Sequence, residues 1–499
     1  MTKKWAISPD HVWALVLLVV ASAIVLANLG NCYMPGDEAQ TALISRTILT
    51  HGIPLGYDGK NYFAVESGQE CGKDYVWRWH PWLPFYVLAG FFALFGQSTF
   101  VCRLPFALFG IATVVLVYYF GLSMWRSRRI GVLAAVTLMT CVPFLILVRQ
   151  CRYYSMATFF FIAGLYAYHQ MLQGRRYATT AFLVSGLLLF HSLYIYLPAL
   201  LCTAIVHSAI YHRKHLKRVI LLSVGLVVVN VPWIIFFASV VTVYHGQRNV
   251  LHAMWVQLRS FPIMMVKHVF LHPAVLIPLL ILAGVALVVR KLRLRDVVQP
   301  EKLVLALLAI GMTLLAFLPT SALPYFRYLA PIIPLACLLA AVILDAAMKL
   351  HPAIGIAAIL ASAILGNARG YIYEITHDFS GPVEGITAYL NAHGRPGDVV
   401  AVNHEPLPLM FYTNLRVING NAGEDLSPMK TARWAIVRQY ASEVEAQVFR
   451  YMGKSIPWGD YEEITLDAPD TGNENSEDPE KHYFETQLEA PVVIYKRIR

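Results

Sequence analysis

Long apolar runs separated by short polar turns fill the first three-quarters of the chain, and a shorter alternation of apolar and polar positions replaces them near residue 369. A run of about 18–20 apolar residues crosses the roughly 30 Å hydrocarbon core of a bilayer as a helix. The pattern predicts eleven spans, at 11–29, 103–124, 130–148, 154–172, 178–195, 197–211, 219–240, 273–290, 302–319, 328–347 and 352–368. The first lacks a small-residue cleavage site and reads as a retained anchor. A twelfth run, 82–96, has only 15 residues, with prolines at 81 and 84. Beyond residue 369, Asp398–Val402, Trp434–Val437 and Pro491–Tyr495 read as strands, and Gly385–Ala392 and Pro408–Tyr412 as short helical pieces. These predict a small α/β domain, with 467–480 as a charged polar loop.

Composition agrees with this division. Of the 499 residues, 57% are hydrophobic and 14% charged, and mean hydropathy is +0.55, whereas a soluble globular chain carries about 25% charged residues. That deficit excludes an ordinary soluble enzyme, a disulfide scaffold and a disordered chain. The net charge of +10 hides a split between +18 for residues 1–368 and −8 for 369–499. Basic residues flank the spans at Lys3-Lys4, Arg126/Arg128/Arg129, Arg175-Arg176, Arg213/Lys214/Lys217/Arg218, Arg290/Lys291/Arg293/Arg295 and Lys349. All six clusters fall on one side only if 82–96 does not span, and positive charge beside spans marks the cytoplasmic side. The N-terminus is therefore expected in the cytoplasm, with 82–96 a juxtamembrane or re-entrant helix. A first loop, 30–102, and the tail, 369–499, are expected outside. The basic surface sets topology, so nucleic acid is not expected as a partner.

The membrane part, 1–368, holds ten acidic residues. Six of them, Asp37, Glu38, Asp58, Glu66, Glu70 and Asp74, lie in the first outer loop, and none lies mid-span. A coupled transporter commonly carries a carboxylate there. Asp37 and Glu38 open an amphipathic helix bounded by Pro35-Gly36 and by Gly52 and Pro54. One role for the pair is capping that helix; the other is proton abstraction from a hydroxyl. Two outer clusters carry cations suited to phosphate: Arg149-Gln-Cys-Arg152-Tyr153-Tyr154 and Pro324-Tyr325-Phe326-Arg327-Tyr328. Arg152 and Arg327 are the first choices as phosphate ligands, Arg149 and Lys60 the second. Tyr153 and Tyr328, with His191 and His404, are candidate sugar or phosphate contacts, the tyrosines alternatively serving as interfacial anchors. The amphipathic loop 244–272 is a candidate lid. Cys32 and Cys71 share the outer loop as a possible disulfide or as two thiols.

Several short pieces, in order, resemble the GT-C class of membrane glycosyltransferases, in the branch of the dolichyl-phosphate-mannose protein mannosyltransferases and lipid A aminoarabinose transferases. They are Gly36-Asp37-Glu38-Ala39, His80-Pro81-Trp82-Leu83-Pro84-Phe85-Tyr86, Phe95-Gly96 before Arg103-Leu104-Pro105, Arg152-Tyr153-Tyr154-Ser155, and Arg327-Tyr328-Leu329 with Pro331. The resemblance implies a polytopic α-helical GT-C fold with juxtamembrane helices in the first outer loop and a C-terminal α/β periplasmic domain. It also implies transfer of a sugar from a polyprenyl phosphate to an acceptor hydroxyl, on a glycan, lipid or protein, at the outer face of a bacterial inner membrane. Asp37 would be the general base, Glu38 its alternative, and the anomeric carbon would invert. The aminoarabinose branch has Glu-Lys-Pro-Pro where this chain has Trp79-His80-Pro81-Trp82, and Arg where it has Gln40. These departures argue against aminoarabinose and leave the phosphate contact to His80, Arg78, Lys60 or Arg152. No metal-binding motif is present and no cofactor is expected, although Asp37-Glu38 could assist a divalent ion as in some distant relatives. The competing readings are a flippase or transporter of a lipid-linked sugar, which lacks the expected intramembrane charges and repeats, and a non-catalytic assembly subunit.

Overall fold

The structure is a computed structural model and describes residues 8–65, 68–246, 250–288, 299–318, 325–420, 423–438, 443–471 and 490–498. Its helices in chain order are α1 (Pro9–Leu26), α2 (Gly36–His51), α3 (Leu83–Phe95), α4 (Thr99–Trp125), α5 (Arg128–Met139), α6 (Val142–Val148), α7 (Tyr154–Leu172), α8 (Ala178–Leu193), α9 (Tyr196–Tyr211), α10 (Arg213–Gly246), α11 (Val250–Met265), α12 (Pro273–Val288), α13 (Pro300–Phe317), α14 (Ile332–Leu350), α15 (Pro352–Leu365), α16 (Ala368–Thr376), α17 (Pro382–His393), α18 (Pro406–Tyr412) and α19 (Glu443–Ser455). The strands are β1 (Val399–Val402), β2 (Arg416–Ile418), β3 (Trp434–Ile436), β4 (Tyr461–Pro469) and β5 (Pro491–Arg497).

Each expected span falls on a helix, but not every one is straight. Among the described residues, five helices are long and apolar enough to cross a membrane, and three more candidates are pairs bent by 73°, 82° and 62°. The breaks have local causes. Pro143 lacks an amide hydrogen just after the break at Thr140-Cys141, Pro273 follows His272, and Asn367 takes φ 64° after Gly366. The three remaining expected spans are α7, α8 and α9. Helix α3 has 13 residues, about 20 Å at 1.5 Å per residue, too short to cross alone. The expected loop 244–272 is largely α11 continued by a π-helical turn, Val266–Phe270; its residues 247–249 lie outside the described residues, as do Lys3-Lys4, Glu66, 290–295 and 472–480.

The chain forms two compact units. The first comprises Met1–Ala27, Phe106–Ile234 and Arg248–Tyr373. Its core is apolar helix packing, with close approaches at glycines: a Cβ on Gly131 would meet the Tyr118 carbonyl at 2.6 Å. Several polar groups inside it are paired. Asp345 binds Arg129 and Lys349, and the Tyr168 hydroxyl meets His207 at 2.9 Å and Ser208 at 2.7 Å.

The second unit comprises Asn28–Pro105, Ile235–Gln247 and Glu374–Arg499. The loop 30–102, which the linear division puts with the membrane part, is thus built together with the tail. The tail carries a mixed five-stranded sheet in the order β2-β1-β3-β5-β4. Strand β1 runs parallel to β2 and β3, while β5 is antiparallel to β3 and β4. Met452 and Val448 of α19, with Ile456 just after it, bury against Ala401, Ile418 and Ala435 of the sheet. The sequence pattern missed β2 and β4, three and nine residues long. Loop and tail are joined by hydrogen bonds, those of Asn61 buried. The Asn61 side chain accepts from Val417 N (2.9 Å) and donates to Leu415 O (3.1 Å), completing the open edge of β2. Asn28 and Asn31 donate to His377 O, and Phe379 N donates to Asn31 Oδ1. No disulfide joins the seven cysteines in the structure; Cys71 packs against Gly56 beside Trp77, inside the loop's own bridge to Trp77.

Candidate active site

In the second unit, Pro35 precedes α2, and no side chain of its own caps the helix. Asp37 and Glu38 occupy the first turn and have different surroundings. Glu38 is 1% exposed, and both of its oxygens are held by Arg103, Nε to Oε2 at 2.9 Å and Nη2 to Oε1 at 3.1 Å. The same guanidinium donates to the carbonyls of Leu29 (3.1 Å) and Asn31 (2.7 Å). Arg103 is therefore a clasp that closes the chain leaving α1 onto α2. Of the two acids Glu38 is the buried one, and a forked, buried ion pair of this kind ties a carboxylate into the structure. Asp37 remains partly exposed on the same turn.

Around this turn the tail supplies groups that the sequence did not single out. The Tyr412 hydroxyl accepts from Met34 N (3.0 Å) and pairs with Thr99 Oγ1 (2.7 Å), and its ring stacks on Tyr33 at 3.9 Å. Glu384 accepts from the amides of Tyr33 and Gly381; burial raises its pKa above the ordinary value. The Glu405 carboxylate lies over Gly36, where a Cβ would sit 3.1 Å from Oε2. His404, the candidate sugar contact, is half-buried next to it.

The other candidates of the loop are engaged locally. Lys60 donates from Nζ to Asn414 Oδ1 at 2.9 Å, and burial lowers its pKa against the opposing charge of Asp58. Arg78 forms a two-pronged pair with Asp74 (2.9 and 2.6 Å) and lies 5.2 Å from the Phe236 ring; its hydrogen bond to Asp74 holds that carboxyl below the usual range. His80 sits among aromatic rings, 6.1 Å from Trp77 and 6.3 Å from Trp79.

In the first unit, the two arginines chosen from separate sequence clusters come to one tyrosine. The guanidinium carbons of Arg152 and Arg327 each lie 6.0 Å from the Tyr154 ring centre. Arg152 is also 5.0 Å from Tyr153, and Arg327 is 4.2 Å from Tyr325. The hydroxyls of Tyr153 and Tyr154 are 3.0 Å apart. Tyr328 stacks on Phe317 at 4.6 Å, accepts from the Tyr196 hydroxyl through its carbonyl, and has Phe261 of α11 at 6.1 Å. This is a cation-rich, aromatic-walled cluster, suited to an anionic headgroup. Tyr154, central to it, was legible only as part of a motif. Arg149 stands apart: Nη1 donates to the carbonyls of Val25 (2.8 Å) and Ala27 (2.7 Å), capping the C-terminus of α1. His191 meets Phe190 and Trp233 edge-on.

Arg103 had a sequence signal that went unused, being the one charge in the 27 residues of α4, and an isolated charge on an apolar helix implies a partner. Glu405 and Tyr412 had none, because their roles depend on a contact more than 300 residues away in sequence.

Comparisons with known proteins bear on the fold. The family model described as dolichyl-phosphate-mannose-protein mannosyltransferase matches residues 79–236. A comparison with curated proteins finds no match. Among solved structures, ArnT from Cupriavidus metallidurans bound to undecaprenyl phosphate aligns with TM-score 0.61 at 13% identity, over 97% of this chain and 98% of that one. The Archaeoglobus fulgidus oligosaccharyltransferase aligns with TM-score 0.57 at 12% identity, over 93% and 70%. Arabinofuranosyltransferase AftD from Mycobacteria aligns with TM-score 0.53 at 14% identity, over 100% and 40%. The chain has the fold of the GT-C membrane glycosyltransferases, and its resemblance among them is to the dolichyl-phosphate-mannose-protein mannosyltransferase and ArnT family.

Proposed function

We propose that this protein is a membrane glycosyltransferase that moves a sugar from a polyprenyl phosphate to an acceptor hydroxyl on the outer face of a bacterial inner membrane. The observation that carries the reading is the asymmetry of the acidic pair: Glu38 is locked to Arg103 while Asp37, on the same turn, stays partly exposed. Asp37 then takes the proton of the acceptor hydroxyl as its oxygen bonds to the anomeric carbon. The bond from that carbon to the phosphate oxygen breaks in the same step, which inverts the centre, and polyprenyl phosphate leaves with the bonding electrons. Arg152 and Arg327 bind the phosphate and stabilise the charge it gains, which lowers the transition state more than the ground state. Tyr153, Tyr154 and Tyr328 wall the headgroup. ArnT, of like fold, has been solved with undecaprenyl phosphate bound, and this supports a lipid phosphate as the leaving group.

The test is release of polyprenyl phosphate from lipid-linked sugars extracted from the source membranes, with and without candidate acceptors. Asp37→Asn is expected to abolish acceptor-dependent release while the protein still binds undecaprenyl phosphate. Undiminished release in the variant would remove Asp37 as base, and sugar translocation without release would favour a flippase. Because Glu38, the natural partner for Asp37 in a divalent-ion site, is committed to Arg103, release is expected to survive EDTA.

A further inference from the structure

We infer that Glu405 is a positioning residue for the base-bearing turn: helix α18 of the tail grips the start of α2 at two points, and Glu405 is the grip nearest Asp37. This rests on the reading of Asp37 as base.

The first point is Tyr412, at the C-terminal end of α18, which holds Met34 N and stacks on Tyr33. The second is Glu405, at its N-terminal edge, whose carboxylate oxygens lie 3.1 and 3.6 Å from the position of a Cβ on Gly36. Gly36 is the residue before Asp37, and α2 has no capping side chain of its own. The amides of a helix's first turn lack partners within the helix, and their dipoles favour a negative group. Here the tail brings the Glu405 carboxylate up to the first residue of that turn.

The loop carrying Glu405 is held in place. Asn403, fully buried after β1, exchanges two hydrogen bonds with the Arg438 backbone, at 2.8 and 2.9 Å. Arg438 is itself buried on Asp470 and donates to Thr471 O. Glu405 then takes φ 51° and ψ 55° immediately before Pro406. The left-handed region is unfavourable for a glutamate, and in this conformation its carboxylate reaches Gly36. A Cβ at Gly36 would require that carboxylate to yield by a few tenths of an ångström, against the gain in helix propensity that alanine brings.

The experiment is a double-mutant cycle on the full chain in detergent, with Gly36→Ala, Glu405→Ala and both together. Melting temperature, undecaprenyl phosphate affinity and release of polyprenyl phosphate from extracted lipid-linked sugars are each measured. Gly36→Ala is expected to lower the melting temperature when Glu405 is present and to raise it, or leave it unchanged, when Glu405 is alanine. Glu405→Ala is expected to lower the turnover number at least tenfold, with undecaprenyl phosphate affinity within twofold of the parent. Additive melting shifts would overturn the contact. Coupled shifts with unchanged turnover would overturn the positioning role. Asp37→Asn in the same assay decides the base separately: if it retains turnover, that reading fails whatever the cycle shows.

Discussion

At the scale of single residues, the ion pair of Arg103 with Glu38 separates the two adjacent acids. Arg103→Ala leaves a buried carboxylate without its counter-ion, and breaking a pair of this kind costs about 3–5 kcal/mol. A large fall in melting temperature is expected, with most of it recovered in Arg103→Leu combined with Glu38→Leu. Glu384 provides a pH signature. Its folded pKa is raised by burial above the ordinary 4.5, so the folded protein holds a proton that the unfolded chain has lost. Its contribution is therefore most favourable below about 4.5 and is lost as pH rises through the folded value. Denaturation as a function of pH is expected to lose that fall in Glu384→Gln. For the phosphate cluster, Arg152→Ala and Arg327→Ala are each expected to weaken undecaprenyl phosphate binding by about tenfold, near 1.4 kcal/mol. Because both face Tyr154, the double change is expected to be less than additive. Arg152 and Arg327 stood out in the sequence as cations beside aromatic runs at span ends, but their meeting at Tyr154 did not. The difference between Asp37 and Glu38 was not legible either, since it depends on which of them Arg103 reaches.

Among the elements, helices were legible and their breaks were only partly so. Apolar runs fix a helix because every backbone group in a bilayer must be satisfied locally. Whether a run bends depends on neighbours that can satisfy the freed groups, and the run itself does not contain them. Short strands were harder still. Strand β2 has three residues and owes its definition to pairing with β1 on one side and to Asn61 on the other. Asn61→Ala removes both side-chain bonds and leaves buried Val417 N and Leu415 O without that partner. Each such orphaned group costs about 1–3 kcal/mol. The expected result is a lower melting temperature with faster protease cleavage in 52–82, and no loss of undecaprenyl phosphate binding.

For the whole molecule, the linear order misleads about what folds together. The sequence divides at about residue 369, yet residues 28–105 form one unit with 374–499. A chain of residues 374–499 expressed alone therefore lacks the partners of β2, α17 and α18. Hydrogen exchange at 384, 407, 409–412 and 415–418 is expected to be markedly faster in that fragment than in the full chain. Equal protection would mean that the tail folds without the loop.

The sequence by itself determined that this is a polytopic helical membrane chain with an acidic α/β tail, and which loop holds its acids. Hydrophobic length and charge content are local quantities, so they survive without a structure. Only the tertiary structure decided which acid is locked by Arg103, which arginines meet at Tyr154, and that the tail supplies Glu405 and Tyr412 to the start of α2. Each of these is a contact between residues distant in sequence, set by packing and hydrogen-bond geometry that no local pattern encodes.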